Sequence, residues 1–188
     1  MAIYGNTDTT GGGYQYASFG GAFVCLPTAD LSENASVNTI YCYMYCVSGP
    51  SYMKFAIWDE SKNLVANSLS SEITVSNTSA AWVSFNYSTK PSLSSGQRYY
   101  LGYIDDNTGG YNRIIYQTST GEGGYDISKV FNYTSGENLG TLANTDRRMA
   151  FYIDYTASAA PSGPSLKIEG ITPGKLEYTS WSSLSDVF

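Results

Sequence analysis

Apolar residues recur at every second position along this chain, in short runs broken by clusters of Gly, Asn, Asp, Ser and Pro. A period of two puts alternate side chains on opposite faces of an extended strand, and the turn clusters end each strand. The wider spacing of an amphipathic helix is sustained nowhere. The pattern predicts one or two strands between Tyr14 and Leu26, around Gly20 and Gly21, and a longest strand over 36–48. In that strand Ile40, Cys42, Met44 and Cys46 share one face; Tyr41, Tyr43, Tyr45 and Val47 share the other. A strand over 52–58 follows, with Met53, Phe55 and Ile57 as its inner set. Short strands are expected at 64–69 and 72–75. A strand at 82–87 places Val83, Phe85 and Tyr87 together. After a loop at 90–96, a strand over 97–104 carries Tyr99, Leu101 and Tyr103 on one side. Residues 105–110 read as a turn, 111–118 as a strand and 119–144 as mostly loop. A last strand over 147–156 turns Met149, Phe151, Ile153 and Tyr155 inward.

Beyond this pattern lies a stretch of Ala, Ser, Pro and Gly at 157–165, a linker by composition. The remaining residues, 166–188, are too few for a second core, yet Leu166, Ile168, Ile171, Leu176, Tyr178 and Trp181 make them too apolar to stay in water. Leu166-Lys167-Ile168-Glu169 alternates as a half-buried strand does. Such a tethered strand can dock on its own sandwich, or add to the sheet edge of a neighbouring copy or a larger assembly.

Composition narrows the function classes. Charged residues are 14% of the 188, against about 25% in an average domain. Tyr (18) and Gly (19) are abundant, so the surface is polar but sparsely charged. A surface of this kind can hydrogen-bond to sugars or to copies of itself with little charge to desolvate. The net charge of −6 and the scattered basic residues argue against nucleic acid, whose phosphates need clustered Lys and Arg. Histidine is absent, which removes Ser-His-Asp and Cys-His machinery and histidine metal sites. Paired carboxylates remain as the one enzymatic possibility, but sixteen Asp and Glu residues always offer some pair. The start of the chain, Met1-Ala2-Ile3-Tyr4-Gly5-Asn6, shows no secretory signal, and no apolar run approaches the roughly 20 residues of a membrane span. Virion or extracellular localisation is expected, without membrane insertion.

Three cysteines occur. Cys42 and Cys46 lie in one predicted strand with Cα atoms roughly 13 Å apart, too far for a disulfide. Only a bridge through Cys25 is open; buried free thiols are the expected state. Zinc would need further ligands.

Three segments together resemble a known module. They are Ala56-Ile57-Trp58-Asp59, Trp82-Val83-Ser84-Phe85, and the run Leu93-Ser94-Ser95-Gly96-Gln97-Arg98-Tyr99-Tyr100-Leu101-Gly102-Tyr103. With the closing Met149-Ala150-Phe151-Tyr152-Ile153-Asp154-Tyr155, they make residues 13–156 similar to a β-sandwich module of bacteriophage structural proteins and bacterial surface or secreted proteins. The resemblance implies a jelly-roll-like sandwich in accessory, adhesive or carbohydrate-contacting positions, and no catalytic site. The expected fold is therefore all-β: a single jelly-roll-like antiparallel β-sandwich over 1–156 with an extended C-terminal tail.

Two candidate sites lie within the sandwich. The ladder Tyr41, Tyr43, Tyr45 is a glycan platform, a subunit face, or a solvated sheet surface in which Tyr serves strand packing. Asp105, Asp106 and Asn107, with Asp126 or Glu122, form a candidate Ca²⁺ site or an Asp/Asn-rich turn. No cofactor other than Ca²⁺ is indicated. Sequons at Asn34, Asn77, Asn86 and Asn132 reflect the abundance of Asn, Ser and Thr. The expected role is non-enzymatic: a viral (phage) decoration, fibre or tail accessory protein or an extracellular filament subunit, anchored through the tail. Its partners would be copies of itself or a larger capsid or filament assembly. The alternative is a carbohydrate-binding module or adhesin that contacts cell-surface glycans.

Overall fold

The structure, a computed structural model, describes residues 1–10, 13–17, 21–118, 123–126, 134–143 and 146–158; at 13–17, 107–109 and 123–126 it describes the backbone alone. The tail residues Leu166, Ile168, Ile171, Leu176, Tyr178 and Trp181 lie outside the described residues.

The chain is an all-β antiparallel sandwich. Its strands are β1 (Ala2–Gly5), β2 (Gly13–Ala17), β3 (Ala22–Cys25), β4 (Ala35–Cys46), β5 (Ser51–Asp59), β6 (Ile73–Val75), β7 (Ala81–Asn86), β8 (Ser92–Leu93), β9 (Tyr99–Gly109), β10 (Asn112–Thr118), β11 (Gly123–Asp126), β12 (Leu142–Ala143), β13 (Arg147–Met149) and β14 (Phe151–Ala157). Sheet A runs β1-β14-β4-β10-β13, with β7 and β8 also on β4 and β2 on β10. Sheet B runs β12-β11-β3-β9-β5-β6. From β2 to β5 and again from β7 through β9, β10 and β11, the main strands alternate between the sheets, as in a jelly roll.

β4 shows why these residues form a sandwich. From Ile40 to Cys46 its alternate side chains separate cleanly: Ile40, Cys42 and Met44 are fully buried, while Tyr41, Tyr43 and Tyr45 are half-buried on the far face. The inner residues meet Met53, Phe55 and Ile57 of β5, Leu101 and Tyr103 of β9, and Met149, Phe151 and Ile153 in one core between the sheets. Each buried side chain of this size contributes about 1.5–3 kcal/mol. All three cysteines are buried free thiols, as expected.

The loop into β9 follows the physics of its residues. Leu93 is buried in the core, Gly96 takes a left-handed φ of 71° with open space around it, and Tyr99 turns inward. The Tyr99 hydroxyl accepts the Ser94 N–H at 2.9 Å, closing the turn. Gly102, further along β9, lies against β3: a Cβ there would stand 2.1 Å from the Phe23 carbonyl oxygen.

Several expectations need correction. The predicted turn at 105–110 is mostly strand, because β9 continues to Gly109 along β5. The predicted strand at 64–69 is an irregular segment with one bridge, Leu64 to Trp58. Its serines replace a strand's hydrogen bonds: the Ser70 hydroxyl accepts the Phe55 N–H at 2.9 Å, and the Ser68 hydroxyl accepts the Ile57 N–H at 3.2 Å. The 147–156 strand is broken at Ala150, whose carbonyl accepts from Tyr43 and whose N–H donates to Ile115. β5 is buried on both faces. Ala56 and Trp58 join Val24 and Ile104 in a second cluster on the outer face of sheet B, beneath Leu64, Leu69 and Leu139. The Trp58 indole donates to the Glu137 carbonyl at 2.7 Å, and the Lys62 ammonium to the Gly140 carbonyl at 3.1 Å, fastening that cover.

Two buried phenols test the core. The Tyr87 hydroxyl donates to the Ser68 carbonyl at 2.7 Å. The Tyr103 hydroxyl is buried with no hydrogen-bond partner among the described residues. Tyr87→Phe should cost about 1 kcal/mol, and Tyr103→Phe should be neutral or stabilising, read by denaturant unfolding. The reverse order would contradict this placement.

Candidate functional site

The outer faces of the two sheets differ. That of sheet B is roofed by the second cluster; that of sheet A presents aromatic rings. Antiparallel pairing aligns the rows. Tyr152 of β14 and Ser84 of β7 flank Tyr41; Trp82 of β7 flanks Tyr43; Arg113 of β10 flanks Tyr45. One row further along β4, Asp154 and Asn86 flank Thr39.

The rings form one connected group. Tyr41 and Tyr152 stack with centroids 4.3 Å apart and planes 9° from parallel. Trp82 stands edge-on to Tyr152 at 4.8 Å and tilted to Tyr43 at 5.2 Å. Contacts of this geometry contribute about 0.5–1.5 kcal/mol beyond buried area and hold the rings in fixed orientations. At the far end the Arg113 guanidinium donates to the Tyr45 hydroxyl at 3.1 Å and lies 5.9 Å from its ring centre.

Polar groups lock the near end. The Tyr41 hydroxyl donates to Asp154 Oδ2 at 3.0 Å, and Asp154 is only 4% exposed. The Thr39 hydroxyl donates to Asn86 Oδ1 at 2.8 Å. Burial pushes the Tyr41 phenol up, a hydrogen bond with Thr39 opposes it, and the Asp154 carboxylate adds to the rise. Burial likewise raises Tyr152, with Tyr41 and Asp154 adding. The result is a compact aromatic cluster, its rings set at angles from 9° to 81° to one another and bordered by fixed donors and acceptors. Such a cluster offers apolar ring area and hydrogen-bond groups side by side.

The predicted residues Tyr41, Tyr43 and Tyr45 thus share this face. Trp82, Tyr152, Arg113 and Asp154 were not anticipated. Alternation in Trp82-Val83-Ser84-Phe85 and Phe151-Tyr152-Ile153-Asp154 marks them as outward residues, but only register places them beside β4. Of the Asp105, Asp106, Asn107 trio, Asp105 is 3% exposed and Asp106 half-buried, on a stretch of β9 whose register with β5 shifts. The side chains of Asn107, Glu122 and Asp126 lie outside the described residues. Of the sequons, Asn34, Asn77 and Asn86 use their side chains in hydrogen bonds within the fold; Asn132 lies outside the described residues.

A cleft of about 410 Å³ lies between β1 and the loop that follows β3. Two polar groups of its lining are engaged within the fold: the Tyr4 hydroxyl accepts the Tyr99 N–H at 3.0 Å, and the Asn6 amide donates to the Met149 carbonyl at 3.1 Å. Burial pushes the Tyr4 phenol up to about 12.

A scan against protein-family models and a search of curated proteins each find no match to this chain. Fold and site together define an antiparallel β-sandwich with one aromatic sheet face.

The raised phenols make a pH prediction. Tyr4, Tyr41, Tyr87, Tyr103 and Tyr152 are all raised by burial, so the fold favours their neutral forms. That contribution is complete below the unfolded value of about 10 and is lost as pH rises through the higher folded values. Melting temperature should therefore fall above pH about 10. In Asp154→Asn the fall should be shallower, because removing the anion brings Tyr41 and Tyr152 closer to the unfolded value. An unchanged slope would contradict the coupling.

Proposed function

We propose that this protein is a non-enzymatic accessory protein of a virus particle or extracellular filament, and that it contacts carbohydrate through the outer face of sheet A. The observation that carries the carbohydrate reading is the connected ring group of Tyr41, Tyr152, Trp82 and Tyr43. Glycan recognition uses aromatic rings held beside hydrogen-bond groups, and it needs little charge. The absence of histidine from the 188 residues and the sparse charge support a binding role over catalysis. The setting follows from the module resemblance of residues 13–156 and from the apolar residues of 166–188, which would anchor the domain to its assembly.

The test is a glycan array probed with the full-length chain. Binding is expected to a subset of glycans, with Trp82→Ala and Tyr43→Ala each weakening it about tenfold, equivalent to about 1.4 kcal/mol. A flat array, or binding unaltered in both variants, would remove the platform reading.

A further inference from the structure

The outermost strand beside the aromatic face is β7, the longest edge strand of either sheet among the described residues. Its hydrogen-bond phase follows from two neighbouring bonds. The Tyr87 N–H donates to the Asn38 carbonyl, on the β7 side of β4, and the Tyr43 N–H donates to Ala150, on the opposite side. In an antiparallel pair, residues alternate between bonding the partner and pointing away from it. Ala81, Val83 and Phe85 therefore bond Met44, Cys42 and Ile40, and the N–H and C=O groups of Trp82, Ser84 and Asn86 point away from β4. Among the described residues nothing pairs with that edge.

Proteins usually blunt such an edge with charge, proline, a bulge or a covering segment. β5 is covered in this way, by Ser68 and Ser70. β7 reads Ala-Trp-Val-Ser-Phe-Asn, without charge or proline, and its register on β4 runs without a bulge.

We propose that β7 is a homodimer edge, on which the β7 strand of a second copy of this chain pairs antiparallel about a twofold axis at Ser84. The register is self-complementary. Ser84 faces Ser84, Trp82 faces Asn86 of the second copy, and every outward N–H and C=O of these residues meets its complement. On the inner side Val83 of the second copy falls opposite Phe85. Beside it lies a hollow of about 290 Å³ with a mixed lining, Leu69, Phe85 and Tyr87 on its apolar part and Asn67, Ser71, Ser88 and Thr89 on its polar part. Val83 and Phe85 are only half-buried in the single chain, so pairing covers apolar area that the fold alone leaves open.

The twofold is perpendicular to the sheet, so it joins the two copies of sheet A into one continuous sheet with both aromatic faces on the same side. If those faces bind glycan, the dimer is bivalent toward a single surface, and the second contact forms at high effective concentration. The pairing stands whatever the faces bind.

The test is the mass of the full-length chain by sedimentation equilibrium over a concentration series. Wild type should reach twice 20.4 kDa. Ser84→Pro removes an outward N–H while leaving the β4 ladder intact, a position where edge strands tolerate proline. It should stay at 20.4 kDa with the circular dichroism of wild type. Ser84→Lys sets two ammonium groups opposite each other and should be monomeric at low salt, recovering the dimer at high salt as the charges are screened. The Lys variant keeps the test decisive if the Pro variant fails to fold. A wild type monomeric throughout, or a dimer of unchanged strength in the folded Ser84 variants, would overturn the proposal, the latter pointing to residues 159–188 as the contact.

Discussion

The structure depends on the alternation of β4 from Ile40 to Cys46. Along this strand, inward side chains from Ile40 to Cys46 enter a core with almost no exposed surface, and outward tyrosines stand between them. A slip of one residue would exchange the two sets, placing three phenols in the core and Cys42 and Met44 in water. The register is therefore tightly specified. β14, β7, β8 and β10 all hydrogen-bond to β4, so its register sets theirs. The aromatic face is a consequence: once β4 is placed, Tyr152 must lie beside Tyr41 and Trp82 beside Tyr43.

The two sheets solve their outer faces differently. Sheet B carries Trp58, Ile104 and Val24 outward and covers them with Leu64, Leu69 and Leu139. Hydrogen bonds from Trp58 and Lys62 to main-chain carbonyls hold the cover down. On sheet A the Tyr41 hydroxyl donates to Asp154, the Tyr45 hydroxyl accepts from Arg113, and the rings stand half-exposed. A face built this way is rigid before binding, which lowers the ordering cost of recognition.

Much of this architecture was legible from period-two alternation. The inner set of β4, the Met53, Phe55, Ile57 triplet and the closing Met149, Phe151, Ile153, Tyr155 series follow from it directly. So does the outward Tyr ladder. The rest depends on pairing between distant segments. Trp82 and Tyr152 join the site only because strands about seventy residues apart flank the same neighbour. Trp58 is buried on what the alternation suggests is a solvent face because residues 137–140 fold over it. Asp105 looks like a turn residue by type, yet β9 carries it on as strand because β5 continues alongside. Local composition cannot report these neighbours.

The central claim is that β4 divides its labour, the inner face holding the fold and the outer face standing outside the core. Equilibrium unfolding of Met44→Ala and Tyr43→Ser tests this most directly. The inner substitution should cost about 2–5 kcal/mol by leaving a cavity. The outer one should cost about 1 kcal/mol or less, the value of a cross-strand contact. Equal losses at the two positions would show that the aromatic face is part of the core and contradict the account.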